Sequence, residues 1–391
     1  MVTRGLTPLQ RARISTATVF FVFGALLATW VSRIPVIQSK LHLSNAQLGI
    51  ALLGAPVGQL LAMGVTPRVV HRWSSATTAR WAILATGGCT ILLGLAGSLT
   101  TLTLFLVLLG FTLGTLDICM NTQAVAVERR YRRPVMSSLH GVYSVGVLVG
   151  AAFGAAAAGL GVVPVAHFAV AAGVLGLVAV IGARDLLGAS ADVAVDATTD
   201  SSTGGRKPRL REHPTLIAVG VVAFCSLFAE GAGDNWSGVF LHQVEHASYG
   251  LAPLGTAMIG VGMAIGRFAG DGVIARWGRA KTLFWASLVA SGGIVLAVAG
   301  GSVPAALAGY AVFGLGVATI VPISFTVAGN VSGVAPAWGL SRVSTMAYVG
   351  QLASPAIIGL VAHATGLSWA LAIPAMLLVV VAPLSRVARG R

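Results

Sequence analysis

Residues 57–73 read VGQLLAMGVTPRVVHRW, and residues 261–277 read VGMAIGRFAGDGVIARW. Both are apolar runs that end on a basic residue followed by tryptophan. Gly58 answers Gly262, and Arg72-Trp73 answers Arg276-Trp277, at a spacing of about 205 residues. The same spacing relates Trp30 to Trp236, Tyr143 to Tyr348 and Gly154 to Gly359. Recurrence at nearly one offset implies two duplicated halves. Parallel halves of this kind build transporters whose site lies near the membrane midplane.

The composition agrees. The chain is 56% hydrophobic and 9% charged, whereas a soluble domain carries about 25% charged residues. A bilayer is therefore the expected surroundings. The formal net charge of +14 does not signal nucleic-acid binding, because the cations sit in short clusters between apolar segments rather than in one basic domain. Cys89, Cys119 and Cys225 lie inside apolar segments without a CxxC or metal-type spacing, so they are expected to be packing residues. No metal or other cofactor is expected. The basic N-terminal stretch with Arg4, Arg11 and Arg13 leads into an apolar run too long for a signal-peptide core, which is therefore taken as the first span.

A span needs about 20 mostly apolar residues. Twelve segments qualify: 15–36, 46–66, 80–99, 102–126, 138–161, 164–183, 214–240, 252–273, 281–300, 303–328, 342–363 and 367–386. The expected fold is an all-α membrane protein of twelve transmembrane helices in two pseudo-symmetric six-helix bundles. Residues 1–184 form the N-terminal bundle and 214–391 the C-terminal bundle. The polar stretch DLLGASADVAVDATTDSSTGGRKPRLREH, 185–213, joins them as a cytoplasmic linker too poor in apolar residues to bury a core. Of the 25 basic residues, all but Lys40, Arg33 and Arg267 fall on one side of this twelve-span chain. The positive-inside rule then places both termini in the cytoplasm, as a multi-pass protein of the cell membrane. A monomer is expected.

Ionisable groups within a span cost about 2.5–3.5 kcal/mol each on insertion scales, so they face the bundle interior, pair or titrate. Asp117 shares a helix face with Asn121; it reads as a proton site or substrate anchor, or as a structural hydrogen bond to a neighbouring helix. Glu230 and Asp234, four residues apart, share a face of span 7. Arg33 lies at similar depth in span 1, so an Arg33–Asp234 or Arg33–Glu230 pair is expected, either closing an outer gate or standing as a permanent ion pair. Two acids against one base leave a carboxylate over, to take a proton in coupling or to bind a cationic or hydroxyl-rich ligand. Arg267 and Asp271 share a face of span 8 and read as scaffold or inner-gate contacts. Trp30 and Trp236 either wall a ligand site or belong to an interfacial aromatic belt. Asn121, Gln123, His140, Tyr143, Asn235 and Gln351 are candidates for lining a solute cavity, or for polar contacts between helices. Glu128, with Arg129 and Arg130, reads as a solvated latch at the end of span 4. Gly146, Gly150 and Gly154 recur every fourth residue, which lets helices approach closely.

Five segments together resemble one family. GDGVIARWGRAK (270–281) is similar to the loop motif between the eighth and ninth helices of the major facilitator superfamily. Arg276, Gly278 and Arg279 fit the motif, while Ala275 stands where the family usually has aspartate. ATWVSRIPVIQ (28–38), DICMNTQAVAVERR (117–130), SSLHGVYSVGVLVGA (137–151) and FAEGAGDNWSGVFL (228–241) resemble the fucose-permease-like branch and its YbjJ-type inner-membrane proteins. In the fucose–proton symporters the fourth helix carries a functional glutamate, and Asp117 is at the matching place. Their first-helix aspartate has no counterpart here; Ser32 and Arg33 stand in that region.

The chain shows no nucleotide-binding loop, no metal-ligand cluster and no nucleophile paired with a base, so no catalytic residue is named. A secondary transporter follows: alternating access for a small polar solute, coupled to protons. Antiport efflux on the same fold, a transporter-like sensor and a membrane enzyme are the rival readings.

Overall fold

The computed structural model describes residues 6–131, 135–188, 213–331 and 336–388. Most of the expected linker, 189–212, lies outside the described residues, as do Arg4, Arg132, Arg133, Arg206, Lys207, Arg209, Arg211, Arg389 and Arg391.

In the first half the helices are α1 (Pro8–Val31), α2 (Ile34–Lys40), α3 (Asn45–Leu52), α4 (Gly54–Trp73), α5 (Ser75–Gly94), α6 (Leu99–Tyr131), α7 (Met136–Gly159) and α8 (Pro164–Gly182). The second half holds α9 (Pro214–Gln243), α10 (Leu254–Ala299), α11 (Val303–Val317), α12 (Ile320–Ala328), α13 (Pro336–Thr365), α14 (Leu367–Ala370) and α15 (Ala372–Leu384), closed by a 3₁₀ turn, Ser385–Ala388. Ten continuous helical stretches among the described residues are long and apolar enough to cross a membrane. One of them, α10, runs 46 residues and bends at Gly278, which separates the eighth and ninth expected spans. Helix α5 occupies the place of the third. Large apolar side chains such as Phe268 (74% exposed) and Leu160 (81% exposed) point outward, as a protein solvated by acyl chains requires. The chain is thus an all-helical, multi-pass integral membrane protein.

The helices group into two compact units. The first comprises Met1–Arg33 and Gly54–Thr203, the second Ile34–Leu53 and Gly204–Arg391. In the first unit α1 lies against α7. A methyl group on Gly150 would meet Ala25 Cα at 3.0 Å, so the every-fourth-residue glycines are where these two backbones touch. In the second unit α9 lies against α13 around a core of Leu216, Val219, Ala223, Val343 and Ala347.

The departure from the expected domain boundaries is the stretch 34–53, which packs with the second unit. Helix α1 ends in a tight turn, with Arg33 N donating to Trp30 O at 3.0 Å. Beyond it, Gln38 donates to Leu43 O (3.2 Å) and to Asn45 Oδ1 (2.8 Å), and Gln243 at the end of α9 donates to Gln38 Oε1 (3.1 Å). Helix α3, started by a Ser44–Gln47 capping box, then crosses α13 backbone to backbone. A Cβ on Gly49 would lie 2.6 Å from Pro355 O and 3.0 Å from Gly359 Cα.

The duplication is visible in the backbone itself. Ser74, which follows Arg72-Trp73, has φ 72°, ψ 154°; Gly278, which follows Arg276-Trp277, has φ 76°, ψ 159°. This region is nearly glycine-only, and a side chain there costs on the order of 1–3 kcal/mol. Ser74 offsets part of that by capping α5 through Thr77 N; glycine forgoes only a few tenths of a kcal/mol as a cap. Ser74→Gly is therefore expected to stabilise the protein by about 1 kcal/mol, seen as a higher melting temperature in detergent, whereas Gly278→Ala lowers it. A lower melting temperature for Ser74→Gly would refute the strain.

Candidate functional site

In the first unit, Asp117 is half-buried near the middle of α6. The Asn121 side chain donates to Asp117 O at 2.9 Å and to Asp117 Oδ1 at 3.1 Å, so the predicted shared face is real. Among the described residues no cation acts on this carboxylate. Tyr143 on α7 is half-buried, its ring 5.7 Å from that of Phe23. Trp30 is packed away at 3% exposure.

Arg33 is 1% exposed. Its Nη2 donates to Val162 O in the α7–α8 connection, while Nε and Nη1 have no hydrogen-bond partner. Among the described residues no carboxylate charge acts on it. What lies beside it is His167, also 1% exposed, on which the Arg33 charge acts. Both ring nitrogens of His167 are without partners, and its ring lies 5.2 Å from that of Phe153 and 5.4 Å from that of Phe168. A lone ionisable residue inside the sixth expected span, His167 is the one signal in the sequence that points to this neighbour of Arg33.

Gln123 is not placed as a cavity residue. It is fully buried, its Nε2 donating to Ser75 Oγ (2.7 Å) and Leu187 O (2.8 Å) and its Oε1 accepting from Leu187 N (2.8 Å). Its donors and acceptors are taken up by the start of α5 and by the chain leaving α8, which they clamp together. Gln123→Leu is expected to lower stability by about 1–3 kcal/mol through the orphaned groups, with the KM of transport unchanged. A raised KM at unaltered melting temperature would reinstate it as a solute contact. Glu128 likewise has a structural duty: its Oε2 accepts from Val135 N (2.8 Å) and Met136 N (2.9 Å), capping α7. His140 stands edge-on to Phe20, ring centroids 5.1 Å apart.

In the second unit, Glu230 and Asp234 sit half-buried one turn apart on α9. Ser226 Oγ donates to Glu230 Oε1 at 3.4 Å, and Thr256 Oγ1 to Asp234 O at 3.5 Å. The Arg267 guanidinium on α10 acts electrostatically on both carboxylates, which also repel each other. Arg267, read from the sequence together with Asp271 as a scaffold or inner-gate contact, is thus the base that acts on these acids within their own unit. Asp271 itself is exposed. Asn235 is half-buried and donates to Gly231 O at 2.8 Å; Gln351 is half-buried on α13. Trp236 is fully buried, its indole N–H unpartnered, with its edge against Gly359. Among the described residues no group of three or more His, Cys, Asp or Glu side chains is arranged to hold a metal ion.

The sequence model of the Major Facilitator Superfamily matches residues 14–337. An uncharacterized MFS-type transporter of Yersinia pestis is 32% identical over 378 residues, covering 96% of this chain and 95% of its own. The crystal structure of the nucleoside transporter NupG superposes with a TM-score of 0.72 at 13% identity, over 97% of this chain and 100% of that one. The fucose:proton symporter FucP of E. coli superposes at 0.63 with 15% identity, over 97% of this chain and 98% of its own. The last two likenesses are of fold.

Proposed function

This chain belongs to the major facilitator superfamily, and from that premise we propose that it moves a small polar solute by proton-coupled alternating access. It is a transporter of small solutes rather than an enzyme, as its family is. The observation that carries proton coupling is the pair of stations just described. Asp117 has an amide for its side-chain partner and no cation acting on it among the described residues. Glu230 and Asp234 share one base, Arg267. A carboxyl in apolar surroundings without a fixed counter-charge is the group that can take a proton on one side of a membrane and give it up on the other.

Substrate contacts are assigned to Asn121, Tyr143, Asn235 and Gln351, whose half-buried side chains carry donors and acceptors suited to a hydroxyl-rich solute. The two fold neighbours transport a nucleoside and fucose, by their names, which agrees with that chemistry. Trp30 and Trp236 are enclosed, each within its own unit, and contribute packing there. Arg33 is assigned to the gate; among the described residues no carboxylate acts on it. Arg267 holds the acids of α9, and Asp271 meets solvent at the inner end. The positive-inside pattern supports cytoplasmic termini, and a monomer satisfies the scheme. The test is a thermal-shift screen of neutral sugars, nucleosides and polyols on the purified chain, followed by flux in liposomes. A stabilising solute that crosses with proton movement supports the proposal; a solute that binds without crossing marks a sensor and ends it.

A further inference from the structure

At the bend of α10 the second unit has an open cleft of about 690 Å³, walled by the bend itself, the start of its second arm and the end of α15. Arg279, Lys281 and Arg386 line it together with Trp277, Trp285 and Ser385, and no acidic side chain does. All three cations are exposed, and none has a hydrogen bond or ion pair among the described residues. The duplicated position in the first unit is built differently. There Arg80 donates through Nε to Ala183 O (3.0 Å) and through Nη2 to Arg184 O (2.8 Å), capping α8, and the cleft beside it is about 360 Å³. At the corresponding place in the second half stands Phe284, so no guanidinium caps the end of α15 from that position. The tryptophans persist in both halves, as Trp73 and Trp81 and as Trp277 and Trp285.

We propose that this cleft binds the headgroup of an anionic phospholipid. Three cations without a partner among the described residues stand around one opening and supply the charge for a phosphate diester, and the Ser385 hydroxyl adds a hydrogen-bonding group. The tryptophans mark the level of the bilayer interface, where indoles collect. The occupant is a lipid rather than a free phosphate because the two helices that wall the cleft also carry exposed apolar side chains. Val289 and Leu296 on α10, and Met376, Val379 and Val380 on α15, are exposed and would lie along acyl chains. A basic pocket at an interface, on helices with apolar side chains exposed, holds both parts of such a lipid, and free phosphate uses only one of them.

The experiment is native mass spectrometry of the full chain purified in detergent, titrated with phosphatidylglycerol, phosphatidylcholine and inorganic phosphate. One phosphatidylglycerol is expected to bind at least tenfold more tightly than phosphatidylcholine. Each of Arg279→Gln, Lys281→Gln and Arg386→Gln is expected to weaken it about fivefold, while Arg68→Gln and Arg342→Gln, outside the cleft, leave it unchanged. Equal retention of the two lipids by the unmodified chain overturns the proposal without recourse to any variant. Displacement of phosphatidylglycerol by millimolar inorganic phosphate assigns the cleft to free anions and also overturns it, as does undiminished binding in the three cleft variants.

Discussion

Asp117→Asn is expected to abolish proton-driven accumulation of the solute while leaving its downhill exchange in place. The amide has nearly the shape of the carboxyl and keeps a group for Asn121 to bond, so the local packing of α6 survives. What it cannot do is exchange a proton. The magnitude follows from the driving force. A charge crossing 100 mV yields about 2.3 kcal/mol, so a proton-motive force of roughly 150 mV supports about two to three decades of accumulation, at 1.36 kcal/mol per decade. The variant should fall from several-hundred-fold accumulation to none, and solute addition should no longer change the pH inside liposomes. Glu230→Gln is expected to do the same from the second unit, because it leaves Arg267 with Asp234 alone. If both variants concentrate solute like the parent, proton coupling does not run through these acids.

Arg33→Met is expected to make the protein more stable and inactive. A fully buried guanidinium with two nitrogens unpartnered, beside a buried histidine, bears the cost of desolvation without a counter-ion among the described residues. Replacing buried ionic groups by apolar side chains of similar size is neutral or stabilising by about 1–4 kcal/mol. Methionine is long and unbranched enough to follow the path of the arginine stem. The expected reading is a raised melting temperature in detergent together with at least a tenfold loss of transport. Such a combination distinguishes a residue kept for function from one kept for the fold. A destabilised variant would mean that the bond to Val162 O outweighs the buried charge. A stable and fully active one would remove Arg33 from the gate.

These two residues also show how much could be read in one dimension. Asp117 and Asn121 were placed on one face by their spacing of four, and the helix puts them in contact because its period is fixed by the backbone. Glu230 and Asp234 were paired for the same reason. Arg33 was matched to them by its similar depth in span 1, the counterpart of span 7 in the repeat. Depth along a span follows from counting residues, but the direction a side chain takes around its helix axis is set by packing against neighbours. Within the unit that holds these acids, the base that acts on them is Arg267, a neighbour that depth along a span did not point to. Gln123 fell to the same ambiguity: a polar side chain in a span serves a cavity or a clamp equally well on sequence, and its partner Leu187 lies in another segment altogether.

Hydropathy, charge placement and the repeat are local or periodic properties, so the sequence alone determined that the chain spans a membrane many times, as two related helical halves. Even the unusual backbone at Ser74 and Gly278 sits where the repeated Arg-Trp pair marks it. The tertiary structure alone decided that residues 34–53 pack with the second unit, that Arg33 meets a carbonyl and a histidine, and that three cations converge on one cleft. The reason is that apolar helices of equal length are nearly interchangeable in hydrocarbon. Which face meets which is decided by close contacts between residues far apart in the chain, such as Gly49 against Gly359.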